Sequence, residues 1–344
     1  MRILPLSRLT MPYAALFVMM AGCNNSGLQP AASGVPESNA SYRLLPTERV
    51  THSNSQRSWM SPAARARDLL YVANLGNGTV SIFSWPKLKL VGMLTGFNQP
   101  GPMCVDKAND IYITDFPANE IYEFAHGSTV PLQTLEDPGG GPEACSVDPK
   151  TGNLAVTNLL KGSSAGNLEI YPGGTGTPTA VTDPNIYAYW WPAYDGHGNL
   201  FFNGFDQSFG TLYTDELLKG RKSLRSITLN QQIGFPSGLL WDGKYLACED
   251  ATVNVIYQFA VSGSTGTVVG STNLGGATSV FQFWVTGRSR AHPEGTTVVG
   301  ADANANSNTG AAEIWHYPGG GSAPTKEVTQ GLDAPEGAVV SPKR

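Results

Sequence analysis

Charged residues are scarce in this sequence. They make up 14% of its 344 residues, whereas about 25% is usual for a soluble domain. Long helices with charged outer faces are therefore excluded as the main building unit. The formal net charge of −5 leaves no positive surface of the kind that nucleic acid requires. We therefore expect no nucleic-acid partner.

Long hydrophobic runs are also rare, and the clearest one lies near the N-terminus. The run Leu9–Ala21 follows basic residues and is too short to span a bilayer as a finished helix, which is typical of a signal peptide. It ends in Met-Ala-Gly-Cys, which resembles a bacterial lipobox. The sequence therefore predicts a lipoprotein signal peptide over 1–22 and lipidation of Cys23, the alternative being an ordinary secretory signal with an incidental cysteine.

The stretch that follows the signal peptide lacks apolar periodicity. Residues 23–56 are rich in Asn, Ser, Gly, Pro and Ala, a composition typical of a flexible tether. Together with a lipidated Cys23, this predicts a protein anchored to the lipid membrane of a bacterial cell envelope. The expected location is the outer membrane or the cell surface, facing the periplasm or the exterior.

Glycine and proline are abundant, with 40 and 24 copies, so turns must be frequent. They separate the copies of a repeated sequence motif, here called the phrase. It is clearest over 142–158, where it predicts two short strands joined by a tight turn. The copies recur roughly 45 residues apart, a period typical of repeat architectures. An aspartate, or its replacement, marks the end of the first strand in each copy: Ser61, Asp106, Asp148, Asp195, Asp242, Thr286 and Ser341.

Seven marks enclose six intervals, and each is long enough for four short antiparallel strands. The fold class is therefore all-β, and residues 57–344 are expected to form a six-bladed β-propeller of four-stranded antiparallel blades. A second strand in each interval ends on a small polar residue, which we expect to bind neighbouring backbone N–H groups. These residues are Asn74, Asp115, Asn158, Asn203, Asp250 and Asp302.

A propeller must close its ring, since closure removes exposed strand edges. The strand near 337–340 repeats the first-strand phrase but has no chain after it to build a blade, whereas 69–94 supplies such strands at the other end. We expect these two parts to pair. The alternative is that the strand at 58–61 fills the closing position.

Three cysteines remain beyond Cys23, and an odd number cannot pair completely. Counted from the aspartate that follows each, Cys104 is one position out of step with Cys145, which places them on opposite faces of equivalent strands. The sequence therefore predicts that Cys104, Cys145 and Cys248 are small buried hydrophobic residues and form no disulfide framework.

The phrase Pro-x5-Asp, followed by a Gly-Asn or Asn-Asp turn and by Leu-Tyr-Val-Ala-Asn (70–74) or Ile-Tyr-Ile-Thr-Asp (111–115), resembles NHL-repeat six-bladed propellers. It is also similar to the senescence-marker and gluconolactonase group. The resemblance covers about 57–344 and specifies fold better than function. In the gluconolactonase-like family, a divalent metal on the propeller axis is held by residues five positions before the first-strand aspartate.

Carried over to this chain, that set of positions is Gly101, Glu143, Trp190, Ser237, Phe281 and Glu336. Only two of the six can offer a carboxylate, whereas a hard cation prefers six or more oxygen ligands. The same residues still describe one axial mouth. Carboxylates beside aromatic rings, including Tyr189, suit a sugar-like or cationic ligand, the alternative being that the rings plug a narrow channel.

A second candidate site is a calcium-loop spacing in a polar segment. Its positions 1, 3, 5, 7 and 12 are Asp302, Asn304, Asn306, Asn308 and Glu313. Ser307 replaces the usual glycine and the flanks read as strands, so an Asn-rich hairpin loop is the alternative. Calcium is the one cofactor that the sequence suggests.

The sequence lacks a complete catalytic set, so we expect a binding or scaffold module rather than an enzyme. Its expected partners are the membrane, through Cys23, and a small molecule or protein at the axial mouth. The alternative is a metal-dependent, gluconolactonase-like hydrolase or lyase with a degenerate site that uses Glu143 and Glu336.

Overall fold

A computed structural model describes residues 57–288, 290–291 and 295–343. The predicted signal peptide (1–22), the predicted tether (23–56) and Cys23 lie outside these residues. No helix among the described residues combines the length and the apolar character needed to cross a membrane.

The described chain folds into six sheets, the blades of a propeller, and each is built on four antiparallel strands, as the sequence predicts. Blade 1 contains β1 (Trp59–Met60), β2 (Leu69–Asn74), β3 (Thr79–Ser84) and β4 (Lys89–Thr95). Blade 2 contains β5 (Pro100–Val105), β6 (Ile111–Asp115), β7 (Glu120–Phe124) and β8 (Pro131–Glu136). Blade 3 contains β9 (Pro142–Val147), β10 (Leu154–Lys161), β11 (Ser164–Tyr171) and β12 (Thr179–Val181).

Blade 4 contains β13 (Ala188–Tyr194), β14 (Leu200–Phe205), β15 (Leu212–Leu217) and β16 (Leu224–Ser226). Blade 5 contains β17 (Thr228–Leu229), β18 (Pro236–Trp241), β19 (Leu246–Asp250), β20 (Val255–Ser262) and β21 (Thr265–Asn273). Blade 6 contains β22 (Val280–Thr286), β23 (Thr297–Asp302), β24 (Ala311–His316) and β25 (Lys326–Val328). The last strand of the chain, β26 (Pro335–Ser341), belongs to blade 1. Short helical turns occur at Ala64–Ala66, Phe116–Ala118, Pro172–Gly174 and, as α1, Ala305–Asn308.

The first strand of each blade lies innermost, and the six inner strands (β5, β9, β13, β18, β22 and β26) contact one another in a closed ring. Apolar side chains on the two faces of each blade pack against the neighbouring blades. Six buried clusters result, one for each interface between blades. The core of this protein is therefore a ring of interfaces around the axis.

The ring closes through the C-terminus, as the sequence predicts. Strand β26 pairs along the whole of β2, from Leu69 opposite Ser341 to Asn74 opposite Pro335. The alternative closure is wrong: β1 pairs with β4, at the outer edge of the same blade. Blade 1 is therefore built from both ends of the described chain, and β1 adds a fifth strand outside it.

Five of the six polar residues that end the second strands bind backbone N–H groups, as expected; Asn158 instead donates to the side chains of Asp137 and Asn167. Asp115 accepts hydrogen bonds from the N–H groups of Asn98 (2.7 Å) and Gln99 (2.9 Å), and Asp250 accepts them from Gly234 (2.9 Å) and Phe235. Each bond ties the loop that enters an inner strand to the second strand of the same blade. In blades 2 and 5 these side chains therefore fix where the inner strand begins.

The prediction that the cysteines form no disulfide is wrong for two of them. Cys104 in β5 and Cys145 in β9 are joined, with their Cα atoms 5.6 Å apart, while Cys248 is a buried free thiol. The two cysteines do lie on opposite faces of equivalent strands. In a propeller, however, the opposite faces of consecutive blades face each other, so the offset that argued against a disulfide is the arrangement that permits one. Both cysteines belong to the cluster between blades 2 and 3.

Candidate functional site

The six predicted axial residues occupy equivalent positions, one in each blade. Each lies near the start of an inner strand, where the pairing between the first and second strands of its blade shifts register. A β-bulge of this kind turns a side chain away from the regular ladder and is common beside functional sites. We call this set the entrance residues: Gly101, Glu143, Trp190, Ser237, Phe281 and Glu336.

Aromatic rings cover part of the entrance. The Trp190 ring meets the Phe281 ring edge to face, with centroids 6.4 Å apart, although the two residues lie two blades apart. Phe235 packs against the other side of Trp190, with centroids 5.1 Å apart. Trp190 is 7% exposed and Phe281 is half-buried. The rings therefore cover the side of the entrance that blades 4, 5 and 6 form.

The two carboxylic acids lie on the other side of the entrance, in blades 1 and 3. Glu143 is 3% exposed, and burial, followed by the negative charge of Glu336, raises its pKa from 4.5 to about 8. Gly101 of blade 2 lies between them in the ring and brings no side chain; a Cβ there would lie 3.9 Å from the Glu143 carbonyl oxygen. At neutral pH, therefore, Glu143 holds its proton beside the Glu336 carboxylate.

Three buried polar atoms at the entrance lack a hydrogen-bond partner within the usual distance among the described residues. They are Oε1 of Glu143, the indole Nε1 of Trp190 and Oγ of Ser237. Buried polar atoms are almost always hydrogen-bonded, to protein or to water, and a missing partner costs about 1–3 kcal/mol. A carboxyl oxygen and an N–H group are thus both held at the entrance at an energetic cost.

The raised pKa of Glu143 gives a testable pH dependence. Between pH 4.5 and about 8, the unfolded chain loses a proton that the folded protein keeps, so the free energy of unfolding must fall as pH rises through this window. For one titrating group, each pH unit in this window lowers the free energy of unfolding by up to about 1.4 kcal/mol. We expect Glu143→Gln to reduce the loss of stability between these pH values by about 1–3 kcal/mol, measured by urea unfolding.

The matched control for this measurement is Glu136→Gln, which changes an exposed glutamate at the end of β8. It should leave the pH profile unaltered. Other buried acids, such as Asp137 and Glu313, also have raised pKa values, so the wild-type profile will keep part of its slope in Glu143→Gln. Parallel profiles for wild type and Glu143→Gln would show that the proton is not held at Glu143.

A further acid near the entrance, Glu249, was missed by sequence reasoning. In blades 2 and 3, the residue before the strand-end polar residue is a threonine that bridges to the next blade. Thr114 Oγ1 lies 3.2 Å from the Glu143 carbonyl oxygen, and Thr157 Oγ1 donates to the Trp190 carbonyl (2.6 Å). Blade 5 has Glu249 at this position, fully buried. Comparing the copies residue by residue would have singled it out.

Glu249 is strongly perturbed by its surroundings. Burial raises its pKa well above the usual range, the hydroxyl of Ser237 opposes part of this effect, and the charges of Asp302 and Asp250 add to it. Ser237 is an entrance residue, so Glu249 lies directly behind the entrance in blade 5. The entrance therefore contains one buried carboxyl group with a raised pKa, that of Glu143, and has a second, that of Glu249, directly behind it.

Tyr189 is not brought together with the entrance residues. Its ring stacks on Phe202 in the core between blades 3 and 4, with centroids 5.9 Å apart. Its hydroxyl accepts a hydrogen bond from the N–H of Asp183 (2.6 Å). The side chains of neighbouring residues in a strand point to opposite faces, so Tyr189 and Trp190 cannot share one surface.

The predicted calcium loop connects β23 to β24 and contains α1, with Glu313 inside β24. Asp302 accepts hydrogen bonds from the N–H groups of Thr278, Asn304 and Ala305. Its carboxylate thus has the same structural use as the other strand-end residues. Burial and the charge of Asp302 raise the pKa of Glu313 to about 7. Calcium binding by Asp302, Asn304, Asn306, Asn308 and Glu313 stays a prediction.

A different acidic group meets a simple distance test for a metal. Among the described residues, Asp106, Asp110 and Glu123 are the acidic side chains that can bring three ligand atoms within 4.8 Å of one another. Asp106 accepts the N–H groups of Ala108 and Asp110, each at 2.8 Å. This arrangement shapes the turn between β5 and β6, as Asx residues do elsewhere, so it gives no separate support for a metal.

Six closed blades, each with a bulge at the start of its inner strand, define the class of this protein: a six-bladed β-propeller. No protein-family model and no curated protein matches the sequence. The fold is similar to that in the crystal structure of a nidogen/laminin complex, with a TM-score of 0.61 at 14% identity, covering 80% of this chain and 99% of that one.

It is also similar to a functionally unknown protein from Desulfotomaculum acetoxidans DSM 771. The TM-score is 0.55 at 10% identity, covering 80% of this chain and 100% of that one. At these identities the similarity shows the fold alone. A relation to the NHL-repeat or gluconolactonase groups stays a prediction from the sequence.

Proposed function

We propose that this protein is a lipid-anchored, extracytoplasmic binding module whose ligand engages the entrance residues. The observation that carries the proposal is the pair of buried polar atoms, Glu143 Oε1 and Trp190 Nε1, without a partner among the described residues. Ligand hydroxyl groups can donate to a carboxyl oxygen and accept from an indole N–H group. The aromatic faces of Trp190 and Phe281 suit the apolar side of the same ligand.

A sugar-like molecule has this combination of hydroxyl groups and an apolar face. A cationic ligand is the second class, since Glu336 and the aromatic rings both attract positive charge. A protein partner can present either type of group, and one of the similar structures is that of a protein complex. The module needs no catalytic group for any of these roles.

The binding proposal is tested by thermal shift, because a ligand that binds the folded state alone raises the melting temperature. The probes are choline and glucosamine, which is a sugar that carries a positive charge at neutral pH. We expect at least one to stabilise the full-length protein. Trp190→Phe keeps an aromatic ring, removes the N–H group and should reduce the shift at least fivefold.

Trp59→Phe is the matched control, because Trp59 is 44% exposed at the outer edge of blade 1. It should leave the shift unchanged. Equal shifts in both variants, or no shift with any probe, would contradict binding at the entrance by these ligand classes.

The Cys104–Cys145 disulfide supports the extracytoplasmic part of the proposal. Disulfides persist in oxidising compartments and are rare in the cytosol, and this one joins two blades within a buried cluster. The lipobox-like sequence that ends at Cys23 points to the same compartment. The proposed location is the bacterial cell envelope, on the outer membrane or cell surface.

We expect Cys23→Ser to abolish membrane attachment. The reason is chemical: without the thiol no diacylglyceryl group can be added, and stable anchoring requires more than one acyl chain. Fractionation of cells should place the wild type with membranes and Cys23→Ser in the soluble or unprocessed fraction. Cys248→Ser, which changes a cysteine outside the lipobox, is the control. Equal membrane partitioning of Cys23→Ser and the wild type would rule lipidation out as the anchor.

The alternative function is a metal-dependent hydrolase or lyase with a degenerate site. The electrostatic interaction between Glu143 and Glu336 supports it, because a metal ion needs acidic ligands close together. The purified protein would then contain metal, hydrolyse lactones or other esters, and gain stability on addition of calcium. Both the metal and the activity should be lost in Glu143→Gln. Metal analysis that finds none, with no gain in stability, would exclude this alternative.

A further inference from the structure

A cavity of about 380 Å³ lies at the other end of the propeller axis. It is lined by the C-terminal halves of the inner strands of blades 2 to 6 and by the turns that follow them, and none of the entrance residues lines it. Its size falls in the range of small-molecule sites, roughly 300–1,000 Å³. It is therefore a second candidate site, distinct from the entrance.

Gln282 of β22 helps to separate the two ends of the axis. Its Oε1 accepts the N–H groups of Met103 (3.1 Å) and Ala338 (3.0 Å), and its Nε2 donates to the Met103 carbonyl (2.7 Å). These bonds reach from blade 6 to blades 1 and 2. Gln282 is buried and lines the cavity, so it forms part of a floor.

The walls are rich in aromatic rings. Three tryptophans, Trp191, Trp241 and Trp284, line the cavity together with Tyr194. Trp241 and Trp284 are half-buried, and Trp241 is held flat by stacking on Phe201, with an angle of 4° between the rings. Rigid aromatic surfaces that remain partly open in a concave site favour a ligand with flat apolar faces.

The rim carries no net formal charge among the described lining residues. Asp106 and Asp195 are matched by Lys107 and Arg288. Asp195 uses one oxygen for the N–H groups of His197 (2.7 Å) and Asn199 (2.8 Å), so it is committed to its own turn. A balanced rim gives little attraction to a ligand of either charge. The cavity therefore favours a neutral ligand.

Hydrogen-bonding groups are nevertheless present. The Ser146 hydroxyl, which accepts the N–H of Tyr194 (2.9 Å), has a proton to donate. Arg288 uses one N–H for the Trp241 carbonyl (2.6 Å) and has further N–H groups. The Cys104–Cys145 disulfide lines the same cavity and joins blades 2 and 3, so this wall is held in place before binding.

We propose that this cavity binds one or two rings of a neutral saccharide. Sugar rings present flat C–H faces to aromatic side chains and hydroxyl groups to polar ones, which matches the walls and the polar groups described above. The cavity shares no lining residue with the entrance, and one wall residue, Trp191, packs against Phe281 of the entrance, with ring centroids 5.7 Å apart.

The test uses isothermal titration of the purified full-length protein with cellobiose, maltose and N,N′-diacetylchitobiose. We expect at least one to bind with a dissociation constant below about 1 mM, to change tryptophan fluorescence, and to be insensitive to salt. Trp284→Leu should weaken this binding at least tenfold. The entrance variant Trp190→Phe should leave it unchanged.

Because Trp284→Leu changes the core as well as the cavity, a second variant avoids that problem. Gly196 lines the cavity and is exposed, and a Cβ at this residue would have no atom within 4 Å. Gly196→Phe should block the cavity and abolish binding, whereas Gly196→Ala should retain it. Absence of binding by all three disaccharides, binding that survives Gly196→Phe, or binding lost in Trp190→Phe would each overturn the proposal.

Discussion

Deletion of residues 334–344 is expected to destroy the cooperative fold of the propeller. Strand β26 pairs with β2 over its whole length, and its Val339 and Ala338 belong to the cores on the two sides of blade 1. Without it, β2 presents an exposed edge and the ring opens. We expect a loss well beyond the roughly 0.5–3 kcal/mol of single substitutions, together with aggregation, measured by thermal unfolding and size-exclusion chromatography.

The matched control changes the other terminal strand. Trp59→Ala combined with Met60→Ala removes the side chains of β1, which pairs with β4 through two residues only. This double variant should lose no more than a point change does and should stay monomeric. If the truncated protein melted like the full-length one and remained monomeric, the closing role of β26 would be disproved.

Ring closure was predictable because the chain repeats one phrase. The first-strand pattern near 337–340 recurs without the strands that should follow it, and the strands at 69–94 occur without an inner partner. Period-two patterns and turn residues place each strand locally, and a toroid leaves one place for the unpaired copy. The entrance positions follow from the same count, since all six lie at equivalent bulges.

Other features depend on contacts between blades, which the repeat pattern does not contain. Tyr189 and Trp190 are neighbours in sequence, but only Trp190 lies at the entrance because strand side chains alternate. The fifth strands β1 and β17 are short and carry little pattern of their own. The saccharide cavity is formed by residues of five blades, whose individual copies show nothing unusual.

The cysteines show why correct local reasoning can reach a wrong conclusion. The one-position offset between Cys104 and Cys145 was identified correctly from the sequence. Within one sheet, side chains on opposite faces never meet, so the same offset would exclude a disulfide there. In stacked blades, a side chain on the leading face of one blade meets the trailing face of the next, and buried Cys145 lies in the same cluster as Cys104.

Loss of this disulfide is expected to have the second largest effect. It closes a loop with a sequence separation of 41, and restricting an unfolded chain over such a loop is worth about 2–4 kcal/mol. The double variant Cys104→Ala/Cys145→Ala should therefore unfold at distinctly lower urea concentration, with a steeper transition, because the unfolded chain without the cross-link exposes more surface. A reducing agent should lower the stability of the wild type and leave the double variant unaffected.

Cys248→Ala separates the effect of the covalent bond from that of losing buried sulfur. Cys248 is 1% exposed and free, so its replacement creates a small cavity without opening a loop, at a cost of about 1 kcal/mol. It should remain sensitive to reducing agent, because the disulfide between blades 2 and 3 is intact. The disulfide would contribute nothing to the stability of the fold if the double variant were as stable as Cys248→Ala, or if reducing agent left the stability of the wild type unchanged.

Since the bond also lines the saccharide cavity, its removal should weaken disaccharide binding as blades 2 and 3 become less constrained.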